Sequence, residues 1–277
     1  MFDATPARDT PLMQSPAFTA ALRLCGENPI VLLSGLVLLH RRVLGVPVLM
    51  LPRAAPPANL DRHLRTHDLH RVPLILSPER PCALPRSIRL RGPQFIARLH
   101  LHPDAGAART ALHPKWRNQL RRAEAAGLRV SHGPLPPTPD HPLLQLEAAQ
   151  ARTRHYANWP TTLTSAFAAA APDQTRLFVA HQNRTPVAHM LFLRHGSRAT
   201  YHIGHITNAG KACRAHNLLL WQASRWLAEQ GHDTLDLGLI DPRTPGLNRF
   251  KMRTGAGMSE TGGTWLRWRP LAWGGRP

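Results

Sequence analysis

Between residues 176 and 268 the apolar pattern changes period in a fixed order, and that order constrains the fold more than any other feature. Strand-like runs at 176–181, 187–195 and 200–206 are followed by a helical run at 215–230, closed by Gly231. A strand at 234–240, a short helix around Lys251 and a last strand near 264–268 complete the series. Three strands in a meander, then strands linked through helices, form a mixed sheet with helices packed on it, an α/β (α+β) arrangement.

Upstream, the periodicity predicts helices at 143–156 and 163–171. The segment Gly133-Pro134-Leu135-Pro136-Pro137-Thr138-Pro139 excludes both helix and central strand, so we divide the chain there, into 1–132 and 133–277. The first part is strand-rich, with short runs at 72–76, 88–90 and 95–102. The apolar stretch 30–51 is broken by His40-Arg41-Arg42 and by Pro47, and neither half reaches the ~20 residues of a spanning helix. It reads as two buried strands, 30–39 and 43–51, joined by a basic turn. At 114–126, Trp116, Leu120 and Ala123 fall on one helical face, while Lys115, Arg117, Arg121 and Arg122 crowd the rest.

A chain of 277 residues with 43% hydrophobic content has the material for a sizeable core, and its formal charge of +19 favours an anionic partner. Nucleic acid, a phosphorylated substrate and an acidic membrane surface all qualify. Nearly all the basic residues are arginine, amid abundant alanine, proline, histidine and leucine; GC-rich coding produces that pattern with no binding role, so charge alone leaves the partner open. Cys25, Cys82 and Cys213 have no paired spacing, which fits a reducing cytoplasm better than a disulfide framework or zinc knuckle. Residues 1–16 lack the charged start and apolar core of a secretion signal. His63, His67 and His70, next to Asp61 and Asp68, have the spacing of a metal-binding helix face. Nothing else in the chain calls for a metal, and we expect none.

Only three lysines occur in the sequence, and one of them, Lys251, lies on the short helix after the 234–240 strand. Thr244 suits the cap, Pro245 the first helical position and Gly255 the left-handed stop. Leu247 and Phe250 share a face, and Lys251 borders it. An ammonium held there would meet a developing negative charge; a lysine snorkelling past a packed helix is the plainer alternative.

Ala215-His216-Asn217-Leu218-Leu219-Leu220-Trp221, then Leu235-Asp236-Leu237-Gly238, then Arg249-Phe250-Lys251 and Gly255, resembles the FemA/FemB/FemX-like branch of the GNAT acyltransferases. His113 to Ala123, running on to Gly127-Leu128, is similar to that branch's basic helix between two GNAT-like halves. The resemblance implies a complete C-terminal GNAT domain with a mixed, mostly antiparallel sheet, and a reduced N-terminal GNAT-like half. It implies transfer of an aminoacyl group from charged tRNA to an amine of a cell-wall (peptidoglycan) precursor; wider relatives use acyl-CoA, and neither donor is a tightly bound cofactor. The branch's Phe-Lys pair maps onto Phe250 and Lys251, the lysine stabilising charge at the reacting ester. Its arginine and tyrosine, which hold a phosphorylated acceptor, map onto Arg152 and Tyr156, a pair that would equally cover an apolar edge.

Amine attack also needs a proton acceptor, for which His202 and His205 are the candidates. Three residues apart on a regular strand, they face opposite sides, so only one points into a cleft. Asp241, at the end of the 234–240 strand, is a further substrate-binding candidate. The turn Asn208 to Ala215 holds one glycine where a CoA enzyme has a glycine-rich phosphate turn, which leans toward tRNA, although Lys211 and Arg214 beside the helix start would suit a phosphate. For the tRNA donor we assign Lys115, Arg117, Arg121 and Arg122. A catalytically silent nucleic-acid-binding module on the same fold is the remaining alternative.

Overall fold

A computed structural model describes residues 9–268 except 33 and 44. In chain order these form α1 (Pro16–Leu24), β1 (Ile30–Val31), β2 (Val37–Val43), β3 (Val46–Pro52), α2 (Leu60–Thr66), β4 (Leu74–Ser77), β5 (Ile88–Arg91) and β6 (Phe95–His100). Then come α3 (Ala105–Ala111), α4 (Pro114–Glu124), β7 (Arg129–Gly133), α5 (Pro142–Arg154), α6 (Thr161–Ala170), β8 (Thr175–Gln182), β9 (Thr185–His195) and β10 (Arg198–Ile206). The series closes with α7 (Asn208–Ala212), α8 (Ala215–Glu229), β11 (Thr234–Leu239), α9 (Pro245–Met252), β12 (Gly257–Glu260) and β13 (Thr264–Arg267).

Among the described residues the strands form two mostly antiparallel sheets, ordered β1-β2-β3-β4-β13-β5 and β12-β6-β11-β10-β9-β8-β7. Only β3–β4 and β10–β11 pair in parallel. Sheet membership does not follow a division at 132/133: β6 and β7 lie in the seven-stranded sheet and β13 in the six-stranded one. The first part thus contributes β6 and nearly all of β7 to the larger sheet, and the second part contributes β13 to the smaller one.

The seven-stranded sheet is covered on both faces. On one, Trp116, Leu120 and Ala123 of α4 and Leu219, Leu220, Ala223 and Leu227 of α8 pack on Met190, Phe192, Leu235 and Leu237. On the other, α1, α5 and α6 bring Phe18, Leu22, Leu143, Leu144 and Phe167 onto Leu177, Leu191 and Ile203. Full burial of such side chains stabilises by ~1.5–3 kcal/mol each, enough to fix the register of the strands beneath.

The apolar stretch 30–51 differs from expectation. His40, Arg41 and Arg42 lie within β2 rather than in a turn, with Arg41 paired to Glu27. The chain reverses between Val43 and Val46, where Gly45 has φ +81°. Nor do His63, His67 and His70 share a helical face, because α2 ends at Thr66 and Asp68 turns left-handed (φ 54°). Among the described residues no group of three His, Cys, Asp or Glu side chains is placed to hold a metal ion, and no helix is long and apolar enough to cross a membrane. Of the segment 1–16 read for a secretion signal, residues 1–8 lie outside the described residues.

Candidate active site

The main cleft forms where β10 and β11 part. They pair only over 198–200 against 234–236. Beyond that point Tyr201, His202, Gly204 and Ile206 line one wall, and Leu237, Gly238 and Leu239 the other, around a volume of about 1180 Å³. Helix α9 and the end of α5 close its sides, contributing Leu247, Phe250, Lys251, Glu147, Gln150 and Arg154.

Lys251 is the one buried residue of α9, 6% exposed, whereas Leu247 on the expected apolar face is 44% exposed and opens to the cleft. The ammonium reaches from α9 to the end of β11, where it donates to the Leu239 carbonyl at 2.8 Å. Burial pushes its pKa down, opposed by the nearby charges of Asp236 and Asp241. Asp236 in turn accepts the Gly238 amide at 2.7 Å, within an irregularity where β11 slips its register against β6. Gly238 has φ +81°, and a Cβ there would meet Lys251 Nζ at 3.6 Å. The helix start also departs from expectation. Pro245 holds the first position, but Thr244 caps nothing; its hydroxyl donates to Asp241 O at 3.2 Å.

Phe250 lines the cleft and packs near Trp116 (6.1 Å) and His216 (6.5 Å). Strand β10 is not regular, because His202 is an extra residue between Tyr201, opposite Phe192, and Ile203, opposite Leu191. His202 lines the cleft, with Nε2 3.1 Å from Thr164 Oγ1, and burial pushes its pKa down to about 4. A group so weakly basic is neutral at pH 7 and holds a proton poorly. His205 is not among the lining residues; its ring lies 6.2 Å from His189, and burial, then Arg154, lowers its pKa. Tyr201 also lines that wall. Its hydroxyl lies over Gly204, where a Cβ would sit 1.7 Å away, and burial raises its pKa.

Arg152 and Tyr156 do not form a pair on one helical face. Helix α5 stops at Arg154, and His155 caps it in the left-handed conformation (φ 53°), which carries Tyr156 off the helix. Arg152 lies outside the cleft lining; Arg154 and Tyr156 are within it. Asp241 lines the cleft, its carboxylate gripped by the Arg243 guanidinium (2.8 Å) and amide (2.9 Å), which hold its pKa down at about 2. Lys211 and Arg214 also line the cleft. Lys115, Arg121 and Arg122 are exposed on α4, and Arg117 half-buried, all outside the cleft. A smaller pocket of about 50 Å³ beside Trp116 is lined by none of the predicted site residues.

Sequence reading missed Glu147. It is 6% exposed, lines the cleft, and accepts from Tyr156 Oη (2.9 Å), Asn158 Nδ2 (2.7 Å) and Gln150 Nε2 (3.3 Å). The signal was present, since a carboxylate at i+4 from Leu143 falls on the buried stripe of α5.

Two parallel strands thus splay over a cleft, with a helix starting beside it. Residues 114–252, half of the chain, match the acetyltransferase (GNAT) domain. The chain belongs to the GNAT acyltransferases. The crystal structure of FemX matches it with a TM-score of 0.74 at 13% identity, covering 95% of this chain and 94% of that one. The structure of L-PGS from Bacillus licheniformis matches with a TM-score of 0.57 at 11% identity, over 94% of each chain. A tandem GNAT protein from the clavulanic acid biosynthesis pathway gives 0.51 at 13% identity, over 95% of this chain and 90% of the other. No curated protein matches the sequence. These likenesses show a tandem GNAT-like fold, in which the cleft between β10 and β11 belongs to the matched GNAT domain.

Proposed function

We propose that this GNAT acyltransferase is an aminoacyltransferase that takes its acyl group from charged tRNA, an aminoacyl ester, rather than from a CoA thioester, and passes it to the amine of a cell-wall precursor. Charged tRNA would put the reaction in the cytoplasm. The observation that carries this reading is the turn from β10 to α8. A pyrophosphate is bound at such a turn by free backbone N–H groups. Here the turn is folded into α7, and four of its amides are bonded within it. Gly210 N–H donates to Thr207 Oγ1 (3.1 Å), Lys211 to Thr207 O (3.0 Å), Cys213 to Ala209 O (3.2 Å) and Arg214 to Lys211 O (3.2 Å). Phosphates reaching this wall would meet side chains instead, those of Lys211 and Arg214. Outside the cleft, the exposed cations of α4 suit a long polyanion.

In the reaction the acceptor amine attacks the ester carbonyl, the carbonyl oxygen becomes an oxyanion, and on collapse the ribose oxygen leaves as a hydroxyl with the proton that the attacking nitrogen gives up. Lys251 supplies the donor for the oxyanion. One of its three N–H bonds is held by Leu239 O, which fixes the ammonium while leaving two for the intermediate. A preorganised donor of this kind lowers the barrier by ~2.7–4 kcal/mol. Phe250 would shield that charge from water along the cleft wall.

The deciding experiment is product detection by mass spectrometry after incubation with charged tRNA or, separately, acyl-CoA, with amine-bearing cell-wall precursors as acceptors. A ribonuclease-sensitive product with charged tRNA is expected. Ribonuclease-insensitive transfer from acyl-CoA alone would replace this reading by the CoA-dependent one, which the cations beside the α8 start favour.

A further inference from the structure

The cleft is lined by cations, namely Arg154, Lys211, Arg214, Arg243 and Lys251, against two carboxylates. One of the two, Asp241, is neutralised by Arg243. The other, Glu147, forms no salt bridge among the described residues. Its partners are the phenol of Tyr156 and the amides of Asn158 and Gln150. Both shorter bonds fall on Oε1; Oε2 receives only the 3.3 Å contact from Gln150.

A carboxylate that is 6% exposed loses most of its hydration, and neutral donors recover only part of that cost. Two carboxylate oxygens offer about four acceptor sites. Three are used, which leaves Oε2 short of a donor on a residue that lines the cleft. The neutral donors hold the carboxylate in one orientation, as a ligand-binding group needs. Gln150 Nε2 also donates to Gly204 O at 3.3 Å, and Tyr156 Oη lies 2.9 Å from Gln150 Nε2, which ties the cluster to the β10 wall of the cleft.

We infer that Glu147 is the binding site for a primary ammonium group of the substrate, recognised through Glu147 Oε2. The inference deepens the transferase reading and rests on the same cleft. It fits substrates that carry a free amine into the cleft and disfavours those in which that amine is blocked. Two sources share this chemistry, the α-ammonium of an aminoacyl donor and the acceptor amine before it sheds its proton.

The test needs neither tRNA nor turnover. Binding of alanine methyl ester and of N-acetylalanine methyl ester is measured by ligand-observed NMR on wild type, Glu147→Gln and Glu147→Asp. Wild type is expected to favour the free amine by about tenfold or more, the scale of one charge-assisted hydrogen bond. Glu147→Gln should bind both esters alike, and Glu147→Asp should keep part of the preference. Equal binding of the two esters to wild type overturns the inference, whether or not the variants fold. An unchanged preference in folded Glu147→Gln overturns it too.

Turnover then separates the sources. If the donor brings the ammonium, N-acetylating the aminoacyl group lowers wild-type kcat/KM and the penalty vanishes in Glu147→Gln. If the acceptor brings it, Glu147→Gln raises acceptor KM with either donor. A protein that favours the free ester yet ignores charged tRNA would retain this site and lose the tRNA assignment.

Discussion

Asp236 accepts the amide N–H of Gly238 at 2.7 Å, and the peptide turned by that bond leads to the Leu239 carbonyl that receives the Lys251 ammonium. Asp236 thus acts on Lys251 twice, by shaping its acceptor and by its charge. Asp241, on the other side, adds to the charge, while α8 contributes His216 and β10 contributes Tyr201 to the same cleft.

Lys251→Met should retain the fold and donor binding yet lower turnover by roughly two to three orders of magnitude, the scale of removing one oxyanion donor. Steady-state kcat with the preferred donor checks it; wild-type turnover in a folded variant would remove Lys251 from the chemistry. Lys251→Arg should also be poor, because a planar fork does not fit where a compact ammonium meets Leu239 O.

Asp236→Asn is expected to move the basic limb of the pH–rate profile to lower pH. Burial already lowers the Lys251 pKa and Asp236 counteracts it, so removing that charge lets the ammonium deprotonate earlier as pH rises. A purely structural role would reduce activity at every pH without moving the limb.

Because α5 ends before Tyr156, Arg154→Ala and Arg152→Ala should differ. The first should raise KM for an anionic substrate, and the second should leave kinetics within error, since only Arg154 lines the cleft. Equal effects would place the anion on the outer face of the helix.

Exchange of Arg121 and Arg122 for glutamine should weaken tRNA binding irrespective of sequence. It should also flatten the log–log salt dependence by about 0.7–0.9 per lost phosphate contact. Filter binding across a salt series measures both.

Stability should fall steeply below neutrality. Burial pushes His189, His195, His202 and His216 down to about 4. The unfolded chain, with ordinary values near 6.5, therefore binds more protons between those limits. Each histidine's stabilisation is intact above about pH 6.5 and is lost as pH falls toward 4, at up to about 1.4 kcal/mol per pH unit. Urea midpoints at pH 7.5 and pH 5 test this, and coincident midpoints would contradict it.

Where a segment's apolar period is strong, its structure was legible in its residues. Trp116, Leu120 and Ala123 do form the buried face of α4, and the strands and helix from 176 to 230 recur as β8, β9, β10 and α8. Features set by single backbone conformations were not legible. His202 bulges out of β10, and His155 breaks α5 one residue before Tyr156; neither residue type announces a bulge or a left-handed cap. Lys251 was legible as scarce and well placed, whereas its reach to Leu239 depends on a turn at Gly238 that spacing does not reveal. Helix α1, which covers the second face of the large sheet with α5 and α6, was missed, although Ser15 at its cap and Pro16 at its first position are start signals in the sequence.

Strand β13 lies between β4 and β5, whose sequences precede it by more than 170 residues. During synthesis the six-stranded sheet therefore waits with an interior gap, its β4 and β5 edges unpaired, until residues 264–267 have left the ribosome. Contacts so distant along the chain are slow to close. Open edges in the interval invite pairing with another chain. A chain that ends before residue 264 is therefore expected to aggregate more readily than one that carries β13.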